Sequence, residues 1–477
     1  MVSNPTFLLS GSARIASPFT IGPGDGRIAV DETTVSEFDA WWSARTSAYP
    51  YVVSRIPFAE LDGWRFEPES GNLVHDTGRF FTVEGLHARG DDGVAWAQPI
   101  IHQPEVGILG ILVKEFHGVL HCLMQAKMEP GNINVVQLSP TVQATRSNYT
   151  RVHRGAVPRF LEYFWGPNRG QILVDVLQSE QGAWFWHKHN RNMVVKTTQD
   201  VPEHPDFRWF ALDELRQLLR VDNLVNMDSR TVLSCMPIWR SQETPSSQDA
   251  FHDGLLRSYE AHGGWPARHT ETEILSWFTE MKAHLEWSAR LVPLRKVSNW
   301  QRGSDELVDD DAARFRVIAV QVEAASREVA GWTQPLLAPC AQGLAAFLAR
   351  PINGVLHVLA QVRPEPGLLD IAEIAPTVQL PGAAGAGAPE EPAPFLDAVL
   401  SADPSQVRYD VVQSEEGGRF FHAETRYLVV DVGEQFPLEA PDAFRWLTVR
   451  QLINLLRHGH YLNVQARSLL SCLHSLW

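Results

Sequence analysis

The chain repeats itself. Gly118-Val119-Leu120-His121 returns as Gly354-Val355-Leu356-His357, 236 residues later, and a repeat of this length confines the fold to two related units before anything else is considered. The same spacing carries Trp41 to Trp277, Trp64 to Trp300 and Gln98-Pro99 to Gln334-Pro335. It also carries Glu129-Pro130-Gly131 to Glu365-Pro366-Gly367 and Pro140-Thr141-Val142-Gln143 to Pro376-Thr377-Val378-Gln379. Later pieces slip by one residue, so that Gln178-Ser179-Glu180 returns as Gln413-Ser414-Glu415 and Phe207-Arg208-Trp209 as Phe444-Arg445-Trp446. This predicts a first repeat over 1–240, a polar linker over 241–272 and a second repeat over 273–477.

Within a unit the pattern changes period. His117 to Lys127, Gln171 to Leu177 and Asn192 to Thr197 are short runs rich in branched apolar residues and read as strands. Ala211 to Leu219 places Leu212, Leu215, Leu218 and Leu219 at helical spacing. Strands in succession followed by helices at the end of each unit predict an α+β fold rather than a doubly wound sheet.

A net charge of −15 sets the surface against nucleic acid and anionic membranes. The longest clean apolar run, Val106 to Val113, is far short of the roughly 20 residues a membrane-spanning helix needs, so a soluble, cytoplasmic protein is expected. Cys122, Cys235, Cys340 and Cys472 show neither metal-ligand spacing nor the density of a disulfide scaffold, and are expected to be buried small hydrophobes. There is no Gly-x-Gly-x-x-Gly turn, no phosphate loop of the Walker type and no His-Glu-x-x-His zinc helix. What remains is chemistry that side chains perform alone: proton transfer, elimination, isomerisation or hydrolysis.

Two stretches carry candidate groups. Residues 125–155 concentrate Gln125, Lys127, Thr141, Gln143, Arg146, Asn148, Tyr149, Arg151 and His153 in an otherwise acidic chain. Cations there suit a diphosphate, and amides and hydroxyls suit a sugar or base; a solvated surface loop has the same composition. The second copy replaces the latter part with the low-complexity run Leu380 to Pro389, so the first unit is the expected site. The other stretch, Gln178 to His187, sets Glu180 and His187 on adjoining strands between aromatic residues. Such a pair suits acid–base work, or else Glu180 caps a turn and His187 is a satisfied sheet residue. His121 and His357, matched inside apolar strands, are read as structural.

The motifs Met124 to Asn132 and Gln137 to Tyr149, with the Gln178-Ser179-Glu180-Gln181-Gly182 segment and the duplication itself, closely resemble the NDP-hexose 2,3-dehydratases of deoxysugar pathways over essentially the full length. The resemblance implies two Nudix-like mixed-sheet units without the Nudix metal box. It implies a TDP-4-keto-6-deoxyglucose substrate, no cofactor and no metal, a homodimer, and a downstream NADPH-dependent 3-ketoreductase as partner. On this chemistry a base takes the C3 proton, an electrophile steadies the C4 enolate, and an acid protonates the leaving C2 oxygen. Glu180 or His187 is the candidate for proton transfer, and Tyr149 or Lys127 the donor to the enolate. Arg146, Arg151 and His153 are candidates for the diphosphate; Gln125, Thr141, Gln143, Asn148 and Gln178 for sugar or thymine. A non-catalytic nucleotide-sugar binder and a nucleotide-sugar pyrophosphatase are the alternatives, the latter disfavoured by the missing acidic cluster.

Overall fold

The computed structural model describes residues 32–48, 50–145, 158–167, 169–236, 249–260, 266–311, 314–324, 329–381 and 393–476. Each unit is organised around a seven-stranded mixed sheet and a smaller, more exposed sheet. At the centre of the first large sheet lies strand Gly107–Phe116, whose first seven residues are all buried. It pairs in parallel with His189–Lys196 and antiparallel with Val119–Met128. A strand covered on both faces reads as a continuous apolar run instead of alternating, and GILGILV does. The hairpin that follows turns at His117-Gly118, both with positive φ, the twist that lets two residues join antiparallel strands. The second unit repeats the arrangement, with Gly343–Ile352 beside Glu424–Asp431 and a hairpin turning at Asn353-Gly354.

The smaller sheets are not self-contained. Strand Tyr51–Ile56 of the first unit pairs with Phe315–Ala324 of the second. In return, Ser288–Val292 of the second unit pairs with Thr82–Arg89 of the first. The two indoles that follow these strands cross as well: Trp64 donates to the Thr333 carbonyl at 3.1 Å and Trp300 to the Ala97 carbonyl at 3.3 Å. One hydrophobic cluster accordingly draws Ile56, Val83, Ile101 and Phe185 from the first unit and Val317, Leu337 and Phe420 from the second.

A second seam joins the helices Met227–Ser234 and Val464–His474, capped at their N-termini by Asn226 and Asn463. Arg230 and Arg467 are both buried here. Arg230 donates to the Ser414 carbonyl at 2.9 Å, and Arg467 to the Ser179 carbonyl. Each guanidinium thus satisfies a strand end in the opposite unit, which a buried charge requires.

The segment expected to be a linker contains a helix, Ala250–Tyr259, whose Phe251, Leu255 and Tyr259 enter the core of the second unit. An amphipathic period of one helical turn inside a polar stretch explains why composition alone concealed it. Cys122, Cys235 and Cys472 are buried as expected, whereas Cys340 is exposed at the end of an edge strand. Among the described residues no helix is long and apolar enough to cross a membrane.

Candidate active site

A cavity of about 580 Å³ opens in the first unit, within the size range of small-molecule sites. It is lined by Val119–Met128, the strand ends around Glu180 and Lys188, the start of the Met227–Ser234 helix, first-unit residues such as Arg45, Arg159 and Phe207, and a group of residues from the second unit. Of the expected residues, Gln125, Lys127, Thr141, Gln143 and Glu180 line it.

Glu180 sits where strand Gln171–Ser179 ends. Its amide donates to the Lys188 carbonyl at 2.9 Å, so the ladder orients it. The Asn190 amide donates to Glu180 Oε1 at 2.7 Å, and Asn190 is itself fixed by the Gly107 N–H at 3.0 Å. Glu180 Oε2 is out of solvent and has no hydrogen-bond partner among the described residues. Burial raises the pKa of this carboxyl, with Arg467, Lys188 and the Asn190 bond opposing the rise. A half-satisfied carboxylate beside a cavity is costly to leave unpaired, and such groups are found where a ligand or a proton completes them.

Lys188 lies between His187 and His189, after the left-handed turn at His187, and feels the charge of Glu180. It is buried, donates to the Glu105 carbonyl, and burial lowers its ammonium to about 8 against the pull of Glu180. Across the cavity, Gln143 donates to Glu129 at 2.6 Å and the Lys127 ammonium reaches the Gln143 carbonyl at 3.4 Å. Asp228, in the first helical turn of Met227–Ser234, is pushed well above the usual carboxylate range by burial and by Glu129, Glu180 and Glu416. The second unit contributes Trp332, Gln334, Glu416 and Arg419. Among the described residues no group of His, Cys, Asp and Glu is arranged to hold a metal ion.

Three of the expected residues are placed otherwise than at a ligand. His187 does not line the cavity. Its φ of 49° turns the chain, its N–H donates to the Gly367 carbonyl at 2.7 Å, and its ring stacks on Trp186 with centroids 3.9 Å apart. Gln178 also lies outside the cavity; buried, it donates to the Leu456 carbonyl at 3.1 Å and braces the opposite unit. Thr141 borders the cavity, but its hydroxyl accepts from the Leu112 N–H at 2.8 Å and donates to the Leu123 carbonyl. Thr377 repeats both bonds in the second unit, so the group serves the sheet. Arg146, Asn148, Tyr149, Arg151 and His153 lie outside the described residues. His121 and His357 place Nδ1 2.9 Å from the carbonyls of Val119 and Val355, in keeping with structural roles.

Sequence reasoning did not single out Lys188, Asn190, Asp228, Glu416 or Arg419. For Glu416 the signal was a difference between copies: Glu180-Gln181 in one, Glu415-Glu416 in the other. The corresponding carboxyl of the second unit is closed, since Tyr427 donates to Glu415 Oε1 at 2.9 Å and Gln181 to Oε2 at 2.9 Å. Ala423 and Thr425 stand there in place of Lys188 and Asn190.

The family model for NDP-hexose 2,3-dehydratases matches residues 35–236 and again 271–473. Three curated relatives carry the name dTDP-4-dehydro-6-deoxy-alpha-D-glucopyranose 2,3-dehydratase. That of Saccharopolyspora spinosa is 52% identical over 93% of this chain and 92% of its own length. That of Amycolatopsis orientalis is 48% identical over 91% and 89%, and that of Streptomyces violaceoruber 47% identical over 93% and 98%. With its match repeated across both units, and a paired carboxyl and ammonium in the cavity of the first, the chain belongs to the NDP-hexose 2,3-dehydratase family.

Proposed function

We propose that this chain removes water across C2 and C3 of TDP-4-keto-6-deoxy-D-glucose, giving the 3,4-diketo-2,6-dideoxy sugar nucleotide. The observation that carries the reading is Glu180: one carboxyl oxygen held by Asn190, the other buried at the cavity without a partner among the described residues. The C4 ketone acidifies the C3 proton, and Glu180 in its ionised form takes it. The raised pKa of Glu180 makes it a stronger base than an exposed carboxylate. Negative charge then develops on the C4 oxygen, where a cation in a water-poor site is most effective. Lys127 is the donor assigned to that oxygen, with Tyr149 the alternative, and Lys188 holds positive charge beside the base. Gln125 and Gln143 suit sugar contacts. Arg146, Arg151 and His153 remain the candidates for the diphosphate, joined by Arg45 and Arg159 at the cavity wall.

Each unit, a mixed sheet with helices packed at one end, is read as Nudix-like with the hydrolytic metal box absent. A vicinal diketone is reactive, which supports a NADPH-dependent 3-ketoreductase as the next enzyme; a homodimer and a cytoplasmic location complete the proposal. The test is incubation with TDP-4-keto-6-deoxyglucose and no added cofactor. The product mass is expected to fall by one water, with solvent deuterium entering the sugar. An unchanged mass would overturn the assignment.

A further inference from the structure

The established chemistry needs a second proton-transfer group, to protonate the C2 oxygen as it leaves. We propose that this group is Glu416, contributed by the second unit to the cavity of the first. The inference rests on the dehydratase reading and assigns one of its steps to a residue.

Four observations support it. Glu416 lines the same cavity as Glu180 and Lys188. Its Oε1 accepts the Gly418 N–H at 3.0 Å, which fixes the carboxyl, while Oε2 is out of solvent and has no hydrogen-bond partner among the described residues. Apart from Glu180, no other carboxyl lining the cavity presents an oxygen in this condition among the described residues. The position is also where the duplicated units part chemically. Gln181, its counterpart, reaches across in the same way and donates to Glu415, closing the second unit's carboxyl. An amide at this place seals a carboxylate; a carboxylic acid there gives the cavity two acids that exchange protons with a ligand. Finally, burial and the neighbouring Glu129 and Glu180 raise Glu416 to about 7 against the pull of Arg419, so that near neutrality it carries a proton to give. Two carboxyls in one site with opposite protonation is the arrangement acid–base elimination requires.

The steps balance. The C3–H bond breaks, its proton goes to Glu180, and its electron pair forms the C3–C4 enolate. That pair then forms the C2–C3 double bond as the C4 carbonyl returns and the C2–O bond breaks. The hydroxyl leaves as water with the proton of Glu416. The resulting enol ketonises by accepting the Glu180 proton at C2 and giving its hydroxyl proton to Glu416, which restores both groups.

The test is Glu416→Gln, which places here the residue that the matched position 181 already carries. Loss of water is expected to fall by about a hundredfold or more in kcat, with KM within about threefold. The same variant is then given the 2-deoxy-2-fluoro analogue of the keto sugar nucleotide. Fluoride departs without a full proton, so its release is expected to stay within about tenfold of the parent. Glu180→Gln is expected to lose both reactions. Water loss at the parent rate in Glu416→Gln overturns the proposal, and so does an equal loss of fluoride release, which would mark a role in proton removal or folding. Glu416→Leu, which cannot donate to Glu180, must give the same split. A parent enzyme that fails to dehydrate the natural substrate counts against the function itself and not against this residue.

Discussion

The backbone N–H of His187 donates to the Gly367 carbonyl at 2.7 Å, and its counterpart His422 donates to the Gly131 carbonyl at the same distance. The Glu-Pro-Gly turn of each unit is thereby docked on the acidic hairpin of the other. The bonds run both ways: Gly131 N–H donates to Gly417 and Gly367 N–H to Gly182, each at 2.7 Å. The cavity and the inter-unit seam are one structure.

Glycine is required at these turns by space. A Cβ on Gly131 would lie 1.7 Å from the Phe420 carbonyl oxygen, and one on Gly367 would lie 1.9 Å from that of Phe185. Backbone cannot retreat as a side-chain tip can. Either Gly→Ala substitution is expected to cost about 4 kcal/mol or more, at the extreme of single replacements. Urea denaturation checks this, and a loss under 1 kcal/mol would show that the turn adjusts.

Exchange of the strands makes the units interdependent. Without Ser288–Val292 the first unit has an unpaired edge along Thr82–Arg89, and without Glu416 and Arg419 its cavity lacks a wall. Residues 1–240 produced alone are expected to be inactive and aggregation-prone. Co-production with 241–477 is expected to restore turnover, and activity in 1–240 alone would refute the shared site.

The duplication, the α+β alternation and Glu180 as a candidate at the cavity were legible in the sequence because each is a local pattern or a repeated motif. The exchange of Tyr51–Ile56 and Ser288–Val292 was not, since apolar periodicity specifies a strand but not which sheet edge receives it. Gln178 and Thr141 were ambiguous for a related reason: polar residues in an apolar setting mark a ligand site or a satisfied strut, and only the partner atom tells them apart. The sequence also put His187 forward while Lys188 went unnoticed. A turn residue at φ 49° breaks the simple alternation from which its direction would be inferred.

His187 supplies a test of its placement. Its contribution is a backbone N–H and a left-handed turn, both of which asparagine provides. His187→Asn is expected to keep kcat within about threefold of the parent, where a proton-transfer residue would cost about a hundredfold or more. Lys188→Met, by contrast, removes the cation beside Glu180 and is expected to lower kcat by about a hundredfold. Steady-state kinetics of the pair separates the two assignments, and a reversed order would restore the histidine.

The pH profile follows from the same groups. Glu180 acts ionised, and burial raises its pKa above the ordinary 4.5, so activity is lost as pH falls through that raised value. Glu416 acts protonated, and activity is lost as pH rises through about 7. Lys188 acts as a cation and adds a further loss through about 8. The expected kcat/KM profile is a narrow bell whose alkaline limb begins near neutrality. Asn190→Ala removes a bond that favours ionised Glu180, so the acid limb moves to higher pH. Glu416→Gln removes the limb near 7, and the residual activity is expected to extend to the Lys188 limb near 8. If the alkaline limb of Glu416→Gln stayed where the parent has it, that limb would belong to another group, and the division of labour between the two units would have to be redrawn.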